Sequence, residues 1–171
     1  SEQAAALLKM IGDLERISDH AVNVLNSTEE LRQKGYTLTE DAIKELDILT
    51  GATKEILDIT FKALRNTDTE IAKRVQPLEQ VIDIIKEKMR THHIRRMQQG
   101  LCTIEAGFVW SDLLTDLERV SDHCSNIAGC LIDASMHNLS IHETQRIAED
   151  SSGDYVKLLK DYSKKYSFSN I

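Results

Sequence analysis

The sequence predicts an all-α protein: an antiparallel three-helix bundle preceded by the last helix of another, truncated bundle. The first indication is composition, because the 171 residues include one proline and seven glycines, and such low contents favour long helices. The second is that apolar residues recur at helical spacing in every long segment. The third is an internal repeat, by which the first predicted helix resembles the fourth. No strand is expected.

The first predicted helix runs from about Glu2 to Lys34, with Gly35 as its C-cap. Its apolar pattern is already present at the first residue, so we expect a fragment whose upstream part has been removed. Thr39 is the expected N-cap of the second helix, because Glu40 and Asp41 follow it.

The turn at residues 66–68 separates the second helix from the third, which is predicted from about Thr69 to Gln98. Pro77 lies inside this pattern and should bend the helix, because proline removes one backbone donor. Gly100 ends the third helix, and the fourth is predicted from about Cys102 to Ala134.

Residues 137–140 are expected to form a loop, followed by one or two shorter helices that residues 151–153 separate. The chain therefore divides into three predicted regions. Residues 1–35 form the last helix of a first bundle, residues 36–135 a complete three-helix bundle, and residues 136–171 a C-terminal helical extension.

Composition also excludes several classes of function. A net charge of −7 argues against non-specific attraction to nucleic acid. No apolar run approaches the roughly 20 residues of a membrane span, so no direct membrane insertion of this fragment is expected, and no signal peptide is visible. The three cysteines, Cys102, Cys124 and Cys130, lack CxxC spacing and indicate reduced thiols.

The internal repeat is a phrase of charged and polar residues, which reads DLERISDHAVN at residues 13–23 and DLERVSDHCSN at residues 116–126. In the second copy Glu118 and Asp122 are four residues apart, which places both carboxylates on one helix face. The first copy repeats this spacing with Glu15 and Asp19. The third helix adds a further acidic stripe at the same spacing, formed by Glu79, Asp83 and Glu87.

Carboxylates stacked on one helix face repel one another, so three such stripes call for a positive group between them. Two antiparallel helices would bring four or more oxygens together, which suits hard cations such as Mg, Mn, Ca or iron. A solvated acidic face paired with Arg16 and Arg119 is the alternative interpretation. The repetition of eight identical residues favours the metal site.

The histidines of the repeat, His20 and His123, each follow an acidic residue of the predicted site. They are interpreted as ligands at the edge of the cluster, as partners that orient a carboxylate, or as histidines satisfied between helices; the last two interpretations together are favoured. His92 and His93 cannot share one helix face and are interpreted as surface residues. No nucleophile with its base, P-loop or dinucleotide fingerprint occurs, so no catalytic or cofactor-binding residue and no enzyme activity is predicted.

These residues resemble the PhoU family, whose hallmark is a Glu/Asp-x-x-x-Asp motif in a phrase close to Leu-Glu-Arg-Ile-Gly-Asp-His-Ala, used in tandem three-helix bundles. Both copies here match it, with serine in place of the usual glycine. The resemblance implies a multinuclear cluster of divalent or trivalent metal ions (iron, zinc or manganese). Its ligands would be Glu79, Asp83, Glu118 and Asp122, and Glu15 and Asp19 would form half of another site that lacks its partner helix.

A narrower likeness covers roughly residues 94–168 and depends on four runs: RRMQQG at 95–100, GFVWSDLL at 107–114, DHCSNIA at 122–128 and YSKKYSF at 162–168. These runs are similar to the cytoplasmic C-terminal domain of bacterial sodium/phosphate cotransporters. This likeness implies a regulatory domain on the cytoplasmic side of the inner membrane, whose partner is the transmembrane part of the same phosphate transporter. A homodimer could complete the half site. The alternatives are a metal-independent interaction module that docks a partner helix and, ranked last, a metalloenzyme.

Overall fold

The computed structural model describes residues 2–136 and 141–168, and the side chains of residues 3–136 and 152–168. Every regular element in these ranges is an α-helix, which confirms the predicted fold class. Within these ranges, none of the helices combines the length and the hydrophobicity of a membrane-spanning segment. The helices are α1 (Glu2–Gln33), α2 (Glu40–Asn66), α3 (Thr69–Ala72), α4 (Val75–Gln98), α5 (Ile104–Met136) and α6 (Ile141–Lys165).

Helices α2, α4 and α5 pack against one another as a three-helix bundle. α4 is antiparallel to α2, because His92 near its end contacts Glu45 near the start of α2. It is also antiparallel to α5, because Lys86 contacts Glu118 whereas Glu79, earlier in α4, lies beside Asp122, later in α5. The largest side chains of the core are fully buried: Leu49, Ile56, Leu78, Ile82, Met89, Trp110, Leu113 and Ile127.

The two remaining long helices attach to this bundle from outside. α1 packs along α5, and its buried residues include Met10, Ile17 and Leu31. α6 packs along α4, and the hydroxyl of Tyr166, just after its end, donates to the carboxylate of Glu55 on α2. The described part of the chain therefore has one complete bundle with a helix on either side.

The turn residues behave as their chemistry predicts. The Thr39 hydroxyl accepts the backbone N–H of Ala42 at 3.2 Å, so its role as N-cap of α2 is confirmed. Gly35 and Gly100, which follow α1 and α4, have φ angles of +65° and +70°, a conformation that glycine adopts at little cost.

The prediction that Pro77 bends one long third helix is wrong. The chain instead forms the short α3, turns at Lys73 and Arg74, and starts α4 at Val75. Pro77 therefore lies in the first turn of α4, where its missing N–H would have no intrahelical acceptor in any case. In a continuous helix the proline ring would clash with the carbonyl of Lys73.

Two other boundaries differ from prediction. The fourth long helix starts at Ile104 rather than Cys102, because the Thr103 hydroxyl accepts the N–H of Ala106 at 3.2 Å and acts as the cap. Residues 151–153 do not interrupt the last helix, which runs unbroken as α6. A glycine inside a helix costs only about 1 kcal/mol, and the later turns of α6 pack against the core through residues that include Tyr162 and Leu158. The predicted loop at residues 137–140 lies outside the described residues.

Candidate metal centre

Three of the predicted carboxylates meet in the seam between α4 and α5. Glu79 and Asp83 project from α4 and Asp122 projects from α5, and one oxygen from each lies within 4.8 Å of the others. Glu79 and Asp122 are half-buried, whereas Asp83 keeps contact with solvent. The antiparallel packing produces this meeting, because it sets the i, i+4 pair of one helix against the motif of the other.

The cluster holds more negative charge than its surroundings compensate. Burial raises the pKa of Glu79 to about 7, and the charges of Asp83, Asp122 and Glu118 contribute to that rise. Partial burial and the nearby charge of Glu118 likewise raise the pKa of Asp83 and of Asp122. Each of these carboxyl groups therefore holds its proton to a higher pH than an isolated one does.

Glu118, the fourth predicted ligand, faces the same seam, where its carboxylate contacts both Asp83 and Lys86. Its Oε2 accepts a hydrogen bond from Lys86 Nζ at 2.9 Å, and it lies outside the group of three oxygens within 4.8 Å. Asp122 also has a cationic neighbour, since Arg119 Nη1 lies 3.6 Å from its Oδ2. Arg119 is exposed, and its ion pair with Asp122 is the kind of contact expected on a solvated acidic face. Such an exposed ion pair contributes little to stability.

The structure leaves Glu15 and Asp19 apart from this cluster. Both are exposed on α1, on the face opposite the residues that pack against α5. That face is also apolar, because Leu8, Ile11 and Leu25 on it are more than half exposed. Within the described residues these two acids join no group of three candidate ligands.

The histidines of the repeat form a network between α1 and α5. His123 Nδ1 lies 2.8 Å from Asp13 Oδ1, which also accepts from the Asn126 amide at 3.2 Å. The other copy repeats the arrangement: His20 Nδ1 lies 2.7 Å from Asp116 Oδ1, which accepts from the Asn23 amide at 3.3 Å. The two imidazole rings stack with centroids 5.5 Å apart.

This network relates the two copies of the motif by an approximate two-fold axis. Each aspartate that opens a copy binds the histidine and the asparagine of the other copy. The interpretation of the histidines as groups satisfied between helices fits this geometry. The aspartates Asp13 and Asp116 were not predicted as partners, although the identical spacing of Asp, His and Asn in both copies was the signal that could have identified them.

The interpretation of His92 and His93 as surface residues is wrong. His92 Nδ1 lies 2.5 Å from Glu45 Oε1, and Glu45 is 1% exposed. Arg96 Nη1 contacts the other Glu45 oxygen at 3.0 Å, and His93 stacks on Trp110. Adjacent helix residues point about 100° apart, so each histidine faces a different neighbouring helix.

The donor set fits a hard metal ion. Carboxylate oxygens are the ligands that Mg²⁺, Mn²⁺ and Ca²⁺ prefer, and they also bind iron. Burial, and after it the charges of Asp83, Asp122 and Glu118, raise the pKa of Glu79 to about 7, and a bound cation would relieve the repulsion among these carboxylates. Glu79, Asp83 and Asp122 would hold the ion, with Glu118 close enough to join them.

Comparison with known proteins agrees with the helical architecture. The model of the PhoU domain family matches residues 46–131, half of the chain, including the α4–α5 acids but not those of α1. A phosphate-specific transport system accessory protein, PhoU homolog 1 of Thermotoga maritima, is 31% identical over 121 residues, which cover 71% of this chain and 51% of that protein. The chain thus spans about half the length of this curated relative. No solved structure matches the sequence. The chain belongs to the PhoU domain family.

Proposed function

We propose that this chain is a metal-binding regulatory domain of a phosphate transporter, specifically the cytoplasmic C-terminal domain of a bacterial sodium/phosphate cotransporter. Membership of the PhoU family supports the regulatory role, and the printed name of the Thermotoga maritima relative supports the link to phosphate transport. The narrower assignment rests on the sequence likeness of residues 94–168 alone.

One observation carries the metal-binding part of the proposal, namely the meeting of Glu79, Asp83 and Asp122 between two helices. A cation there would neutralise the carboxylates whose burial and mutual repulsion raise their pKa values, and it would tie α4 to α5. Divalent or trivalent iron, zinc or manganese fits the ligand set, as one ion or as a multinuclear cluster that recruits Glu118.

The exposed apolar face of α1 supports the proposed partners. In a longer chain, helices of a preceding bundle would cover Leu8, Ile11 and Leu25 and would supply carboxylates opposite Glu15 and Asp19. A second copy of the chain in a homodimer would do the same. The transmembrane part of the transporter would then place the domain at the cytoplasmic side of the inner membrane.

A metal-independent docking module is the second candidate function. It is favoured by the exposed apolar face of α1, and by Arg119, which already supplies a cation beside Asp122. In that case a basic amphipathic helix of a partner would occupy the acidic seam, and chelators would not change the stability of the domain.

The transport proposal is tested in cells that carry the intact transporter. The double variant Glu118→Ala, Asp122→Ala should change the initial rate of phosphate uptake, or its response to external phosphate, relative to wild type. Asp58→Ala is the control, because it removes an exposed carboxylate from α2, which contributes no residue to the cluster. Equal uptake by all three proteins at equal expression would refute a role of the site in transport.

A further inference from the structure

Lys86 has an unusual place for a lysine in this protein. Its side chain is 19% exposed and donates at 2.9 Å to Glu118, whose side chain is 13% exposed. The two residues lie on different helices of the bundle, α4 and α5. Lysine is rarely withdrawn from water to this extent unless a carboxylate compensates its charge.

The ammonium group lies at the edge of the acidic cluster. Lys86 follows Asp83 by one helical turn and therefore projects into the same α4–α5 seam. Its charge also acts on Asp83 and Asp122, because it lowers the pKa of each and partly opposes the rise caused by burial. Lys86 thus supplies positive charge where the cluster lacks it.

Glu118 lies between the cluster and the lysine, because its carboxylate hydrogen-bonds to Asp83 and also accepts from Lys86. The three oxygens within 4.8 Å of one another belong to Glu79, Asp83 and Asp122, whereas Glu118 is engaged by Lys86. A cation that uses all four carboxylates must compete with the ammonium group for Glu118.

We propose that Lys86 is a built-in competitor for the metal, which neutralises Glu118 in the metal-free domain and gives it up when a cation binds. This inference rests on the proposed function of the site. Room for the exchange exists, because an open groove of about 630 Å³ is lined by Lys86, Glu118 and Asp83. The lysine can therefore swing into solvent without repacking the core. By this exchange Lys86 sets the metal concentration at which the domain responds.

The test is calorimetric titration of chelator-treated protein with MnCl₂ near pH 7.5, comparing wild type with Lys86→Met and Lys86→Gln. Both variants should bind Mn²⁺ about tenfold more tightly, because the competing charge is gone. Lys62→Met is the control: it removes the same charge from an exposed position of α2, outside the groove, and should bind Mn²⁺ like wild type. Two chemically different replacements of Lys86 guard against a folding defect in one of them.

Melting temperatures, measured on the same samples, distinguish competition by Lys86 from a purely structural role of this residue. Competition predicts that the Lys86 variants melt lower without metal but gain more from Mn²⁺ than wild type does. A structural role alone would lower the melting temperature and leave Mn²⁺ affinity equal or weaker, which would overturn the inference while the metal site stands. If neither wild type nor the variants bind Mn²⁺, the inference and the metal-binding part of the proposed function both fail.

Discussion

Replacing Glu79 by glutamine removes one negative charge from the acidic cluster without changing the shape of the side chain. In the folded protein the pKa of Glu79 is raised from 4.5 to about 7, so the folded state holds a proton that the unfolded state releases. The stability that this proton confers is fully present below pH 4.5 and is lost as the pH rises through 7. Metal-free wild type should therefore become less stable over this interval.

The size of the effect follows from the two pKa values. One pKa unit corresponds to about 1.4 kcal/mol, which gives about 3 kcal/mol for the whole shift. Glu79 is only half-buried, and solvent screening reduces this figure to about 1–2 kcal/mol. Since glutamine does not titrate, Glu79→Gln should be more stable than wild type by that amount at pH 8 and equally stable at pH 4.5.

The assay is thermal and urea unfolding in the presence of EDTA at several pH values. For a chain of this length, 1–2 kcal/mol corresponds to an increase of about 2–8 °C in melting temperature at pH 8. Asp58→Asn, an exposed change on α2, should show no such pH-dependent gain. The electrostatic reasoning is refuted if Glu79→Gln is less stable than wild type at pH 8, or if its advantage is the same at pH 4.5.

Two further predictions concern packing around α5. Asp13→Ala should lower the free energy of unfolding by about 1–3 kcal/mol, because it leaves the buried His123 without its hydrogen-bond acceptor. A double-mutant cycle with His123→Ala, measured by urea unfolding, should show a coupling energy of at least about 0.5 kcal/mol. Additive effects of the two substitutions would contradict the contact. Gly107→Ala should be less stable than Gly129→Ala by about 1–3 kcal/mol. A methyl group at position 107 would lie 2.8 Å from His93 Nε2, whereas a methyl group at position 129 would have no atom within 4 Å. Equal urea midpoints for these two variants would show that the His93 ring moves aside freely.

The sequence allowed the helices and their faces to be predicted, because these depend on local periodicity and on capping residues. Thr39 and Gly100 acted as expected, and the spacing of Glu79 and Asp83 placed both carboxylates on one face. The break before Pro77 was missed because a helical pattern continues through it. Whether the chain bends or restarts there depends on how α3 and α4 each pack.

Contacts between helices were harder to predict, because they depend on the axial position of one helix relative to another. Periodicity places Glu118 and Asp122 on one helix face, but it does not indicate that Lys86 lies opposite Glu118. Predicting the pair of Asp13 and His123 would require knowing that α1 lies antiparallel on α5. Predicting the partner of His92 would require knowing that Glu45 is buried opposite it. Such pairs become visible only when the packing of the helices is known.

The central claim is that the acidic cluster between α4 and α5 binds metal. The most direct test is metal content by plasma mass spectrometry on tag-free protein, before and after chelation, with thermal melting of both samples. We expect stoichiometric iron, manganese or zinc in wild type, a lower melting temperature after its removal, and loss of the metal in the Glu118→Ala, Asp122→Ala double variant. No retained metal, no stabilisation on adding these ions and no effect of the chelator would contradict the claim and favour the docking module.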